Sequence, residues 1–110
     1  MNLPKSIRVG YRDYAVEDWP VALANANARW GECDRLNCVI RVRDDLLPKV
    51  KAEVLLHEVL HAAYDMGCCD NSDEEKLVNI LGNQLTQIWR DNPEFVSFMS
   101  ESLTATPTQS

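Results

Sequence analysis

Only two histidines occur in these 110 residues, so any metal centre must draw a further ligand from another residue type. No apolar run approaches the roughly 20 residues that cross a bilayer, and no membrane span is expected. The start, Met1-Asn2-Leu3-Pro4-Lys5, lacks the apolar stretch of a secretory signal, which makes a cytoplasmic location the expectation. The 11 basic residues form no cluster and face 17 acidic ones, a net charge of −6, so nucleic acid is not an expected partner. The four cysteines have no repeating spacing and read as thiols rather than a disulfide frame. Cys33 and Cys38 flank a turn and can face each other across a hairpin, leaving a bridge open there, while the adjacent Cys68 and Cys69 are poorly placed to bond to each other. There is no internal repeat.

At 45% hydrophobic and 25% charged residues, the composition is that of a soluble globular protein. The length suits one domain with a small core. That domain is expected over residues 1–103, followed by a disordered Thr/Ser/Gln/Pro tail over 104–110.

The run from Ile7 to Val16 alternates about Gly10 and predicts a short hairpin. Asp18 to Ala28, with Pro20, reads as a loop with a helical turn or short helix. A strand through Trp30-Gly31-Glu32-Cys33 enters a turn at Asp34-Arg35-Leu36-Asn37 and returns as Cys38 to Val42. Two or three strands are thus expected first. Asp44 and Asp45 place negative charge where a helix should begin, with Pro48 in its first turn. Its apolar positions Val50, Val54, Leu55, Val59, Leu60 and Ala62 recur at helical spacing to about Met66, and Gly67 stops it. A second helix is expected from near Ser72 to about Arg90. A short third begins at Asn92-Pro93-Glu94 and carries Phe95, Phe98 and Met99.

The two histidines, His57 and His61, bracket Glu58 in His57-Glu58-Val59-Leu60-His61, the H-E-x-x-H spacing of zinc peptidases. Four helical residues turn about 40° past a full circle, so both imidazoles leave one face and can share a metal ion. Two histidines on a helix can also sit in a core with satisfied nitrogens. Against that, the motif uses both histidines of the chain, lies in a strongly periodic segment and is followed by acidic residues.

A catalytic zinc takes three protein ligands and keeps one position for water. Glu74 shares a face with Leu77, Val78, Leu81 and Leu85 and should turn toward the first helix; Glu75 lies beside Asn79 and Gly82. Ser72-Asp73-Glu74-Glu75 also fits a capping box that occupies Glu75, although a cap at Asn71 reverses the assignment. Glu74 is favoured; Glu75, Asp70, Asp73 and Cys68 stay open, and both glutamates can equally be a solvated first turn. With the site complete, zinc brings its water toward a pKa of about 7 and Glu58 takes the proton, later passing it to the leaving amine. Positions 57, 61 and 64 share a face, which makes Tyr64 a candidate donor to the tetrahedral intermediate or else an amphipathic core tyrosine. Asp65 is either a carboxylate orienting a ligand histidine or a surface charge.

His57-Glu58-Val59-Leu60-His61 followed by Glu74-Glu75 resembles the gluzincin pattern. In size and in strands-before-helix order the chain is similar to very small zincins, including ImmA/IrrE-type metallopeptidases and short metallopeptidase-like proteins of bacteriophages. The resemblance covers about Trp30 to Pro93. It implies an α+β zincin-like domain, with a small antiparallel or mixed sheet packed on the active-site helix and a strand edge that aligns an extended substrate. It also implies Zn²⁺ on His57, His61 and Glu74, with Glu58 as general base and acid. SprT-like and metzincin patterns need a third histidine and do not fit. The expected function is a zinc-dependent endopeptidase acting on an intracellular protein, in the host cytoplasm were the chain phage-encoded. Alternatives are a cell-wall peptidase, a catalytically silent binding module of zincin fold, and a structural zinc site built with the cysteines.

Overall fold

The computed structural model describes residues 2–22, 30–67 and 74–104. Its elements are β1 (Ser6–Val9), β2 (Arg12–Trp19), β3 (Gly31–Asp34), β4 (Val39–Arg43), α1 (Pro48–Gly67), α2 (Glu74–Asp91) and α3 (Pro93–Thr104). The architecture is α+β, with a four-stranded mixed sheet and three full helices among the described residues. Two or three strands were too few to expect, because both hairpins are complete and join in one sheet of order β1-β2-β4-β3.

Gly10 makes the first hairpin possible. β1 and β2 pair with Val9 opposite Arg12, which leaves a two-residue loop, and Gly10 takes φ +64° at its first position. A loop of that length needs positive φ there, the region open to glycine. In the second hairpin Asp34 accepts from the Asn37 backbone N–H at 3.0 Å and from Asn37 Nδ2 at 2.9 Å, closing the turn. β4 then lies between its own hairpin partner β3 and β2, which it meets in parallel from Ala15 opposite Val39 to Trp19 opposite Arg43. β2 runs on through Asp18 and Trp19, where a loop was expected, because β4 continues its ladder. Val21 and Ala22 are helical, as the expected helical turn has it, and residues 23–29 lie outside the described residues.

Strand alternation separates the sheet's two faces. Ile7, Val9, Tyr14, Ile40 and Val42 are buried on one face. On the other, Arg8 meets Asp13 directly opposite it at 3.0 Å, and Arg41 pairs with Glu32 and, at 3.5 Å, with Glu17. α1 covers the apolar face with Ala52, Leu55, Val59, Ala62 and Ala63, joined by Ile88 of α2 and Phe95, Phe98 and Met99 of α3. Asp44 and Asp45 do not charge the first turn of α1, which contains no acid. Asp45 is held by Arg43 at 2.7 and 2.9 Å, a bidentate pair that competes successfully with a helix start three residues on. Thr104 still belongs to α3; residues 105–110 and the expected cap at Ser72 lie outside the described residues. Among the described residues no helix is long and apolar enough to cross a membrane.

Candidate metal and catalytic site

α1 lies beside the edge strand β3, and between them opens a cleft of about 660 Å³ lined by Trp30, Gly31, Cys33, Arg35, Glu53, Val54, His57, Glu58 and His61. The same helix periodicity that buries Leu55, Val59 and Ala62 turns positions 57 and 61 toward this cleft. His57 Nε2 and His61 Nε2 stand 3.2 Å apart, their rings edge to face with centroids at 4.8 Å. Two ligands of a tetrahedral zinc at its usual Zn–N length lie about 3.3 Å apart, so the pair has the bite of a zinc chelate. Imidazole is also a donor suited to that ion.

Glu58 is 7% exposed, the one buried acidic side chain among the described residues, and still borders the cleft. Gly31 gives its carboxylate room. A Cβ at position 31 would stand 2.6 Å from Val54 Cγ1, 3.0 Å from the Arg41 carbonyl oxygen and 3.2 Å from Glu58 Oε2. Glycine in a strand often marks such a close approach, a signal the sequence offered and the strand pattern masked.

The predicted third ligands are not brought to the histidines by any described side chain. Glu74 and Glu75 lie in the first turn of α2, with their side chains outside the described set, as are Asp70, Asp73 and Cys68 altogether. Among the described residues no group of three His, Cys, Asp or Glu side chains is disposed to hold a metal. Tyr64 is 40% exposed on α1 and does not line the cleft. Asp65 is met by two guanidiniums, Arg12 and Arg35, each at 3.5 Å. Arg35 and Trp30 both line the cleft and had no sequence signal, since each flanks β3 and reaches the site only when β3 docks beside α1.

Cys33 and Cys38 are free thiols. They leave the hairpin differently: Cys33 pairs with Ile40 within the ladder, while Cys38 lies in the turn at φ +56° with its Sγ toward the Arg35 carbonyl oxygen. Burial, and then the Glu58 carboxylate, push the Cys33 thiol up to about 11. With no metal beside it, Cys33 lines the cleft as a neutral S–H.

No family model, no curated protein and no solved structure matches this chain.

Proposed function

We propose that this protein is a zinc-dependent endopeptidase in which His57, His61 and Glu74 hold the metal and Glu58 is the general base and acid. One observation carries the reading: two Nε2 atoms 3.2 Å apart in a cleft that also contains a buried glutamate. A structural site has no use for such a base. A metal ion bound there supplies Lewis acidity, polarising a peptide carbonyl and acidifying water.

The protein's own groups do the rest. Glu58 takes a proton from the attacking water on its carboxylate and returns it to the leaving amine nitrogen. Its burial removes competing water, and the glycine opposite keeps its carboxylate at the cleft wall. The outer edge of β3 pairs with nothing among the described residues, so its N–H and C=O groups can align an extended substrate by strand addition. Tyr64 lies outside the cleft lining and is given no role in these steps; Tyr64→Phe should leave kcat unchanged, and a loss of about a hundredfold would bring it into the mechanism.

The deciding experiment is metal content by elemental mass spectrometry on untagged protein, for wild type, Glu74→Ala and Glu75→Ala. One zinc per chain, lost with Glu74→Ala alone, is expected. Glu58→Gln should retain that zinc and lose hydrolysis of a casein-derived peptide pool. Zinc that never binds, even after reconstitution, turns the reading to a metal-free binding module.

A further inference from the structure

The cleft carries opposite charges at its two ends. Glu53, His57, His61 and Asp65 follow one another at four-residue steps along α1, and Glu53 lines the cleft on the amino-terminal side of the histidines. At the other end Asp65 is shared by Arg12 and Arg35, each 3.5 Å away, so two cations face one anion. Arg12 is further engaged, its guanidinium 5.5 Å over the Tyr11 ring. Arg35 is half exposed and lines the cleft, and among the described residues its guanidinium pairs with Asp65 alone, at a distance too long for a strong hydrogen bond. Its neighbour Asp34 does not neutralise it. Cys33 faces α1, so Asp34 points to the opposite side of the strand, where Asn37 occupies its carboxylate.

We infer that the cleft selects an extended peptide carrying an acidic side chain two or three residues to the amino-terminal side of the bond to be cut, and that Arg35 holds that carboxylate. The position follows from distance. From residue 59, midway between the histidines, to residue 65 the helix advances about 9 Å. An extended peptide covers that in two to three residues at about 3.3 Å each. The direction follows from topology: Gly31 lies against Val54 and Glu58 while Arg35 meets Asp65, so β3 and α1 run the same way. A peptide adding antiparallel to β3, the more stable pairing, therefore has its amino-terminal part at Arg35 and its carboxy-terminal part at Glu53. A guanidinium with unengaged donors takes a carboxylate in a two-pronged hydrogen bond.

This specificity rests on the peptidase reading for the bond it refers to, and two readouts separate them. The probes are acetylated, amidated octapeptides with Asp, Ala or Lys at each position in turn, free of terminal charge. Binding is followed by fluorescence anisotropy with a labelled set on the Glu58→Gln protein, and cleavage by mass spectrometry with the zinc-loaded wild type. Asp at the second or third residue before the cleaved bond should favour binding and kcat/KM about tenfold over Ala, and Lys there should disfavour both. Arg35→Glu should reverse the order to favour Lys, Asp65→Asn should sharpen the preference for Asp, and high salt should weaken it. Equal use of Asp and Lys, a preference that survives Arg35→Glu, or an acid required on the carboxy-terminal side instead overturns the inference. Arg35-dependent binding of acidic peptides with no cleavage sinks the peptidase reading alone; cleavage blind to charge sinks only the specificity. Failure of every peptide to bind or be cut refutes both.

Discussion

The two edges of the sheet are treated differently. At β1 the exposed backbone is sealed by side-chain amides that imitate a neighbouring strand. The Arg8 N–H donates to Asn92 Oδ1 at 2.7 Å, Asn92 Nδ2 donates to the Arg8 carbonyl at 2.9 Å and to the Ile88 carbonyl at 2.8 Å. Gln87 continues the seal, accepting from the Gly10 N–H at 2.7 Å and donating to the Arg8 carbonyl at 3.0 Å. At β3 no described group does the same, and that edge borders the cleft with the histidines and Glu58. An unsealed edge invites pairing with other chains, and sheets usually blunt it. Here one edge is closed by side-chain amides and the other, among the described residues, borders the cleft where Gly31 approaches Glu58.

The contrast can be broken most strongly at Asn92. Asn92→Ala strips partners from the Arg8 N–H and from two carbonyls at a buried position, and should lower stability by about 3 kcal/mol in urea unfolding. It should also make sedimentation of the folded protein concentration-dependent, through the newly opened β1 edge. Next is Gly31→Ala, whose methyl group must push aside Val54 and the Arg41 backbone, at about 2 kcal/mol in thermal unfolding. Because it also crowds the Glu58 carboxylate, any hydrolysis that depends on Glu58 should fall further than stability does. Gln87→Ala, at the more exposed part of the seal, should cost about 1 kcal/mol and leave the cleft unaffected.

The smallest effect concerns Cys33. In a Cys38→Ser, Cys68→Ser, Cys69→Ser background, its alkylation should rise with pH toward a midpoint near 11, against an ordinary 9.0. The folded value lies above the unfolded one, so the stability contributed by the buried S–H is complete below about pH 9 and is lost as pH rises toward 11. Adding Glu58→Gln removes a neighbouring negative charge and should move the midpoint down. An unmoved midpoint separates the two groups and redraws the wall of the cleft.

Much of this fold is legible in the sequence because short-range causes dictate it. Gly10 between alternating segments is a hairpin by itself, and Pro48 and Pro93 begin helices where their missing N–H is harmless. His57 and His61 share a face through helix geometry alone. What escapes a local reading depends on contacts between segments distant in the chain. Asp65 is taken by Arg12 and Arg35 rather than shown orienting a histidine, and Asn92 does more than begin α3. None of these partners is set by spacing, and each follows from which strand the helix packs against.

By itself, then, the sequence determined most of the elements and the shared face of His57 and His61, since periodicity and turn chemistry act over a few residues. Tertiary structure alone decided the parallel pairing of β2 with β4, which carries β3 to the edge beside α1. The physical reason is that strand order is set by burial of Ile40 and Val42 under α1, a packing that no local periodicity specifies. That choice brings Gly31 to Glu58 and Arg35 to Asp65, and with them the shape and charge of the cleft.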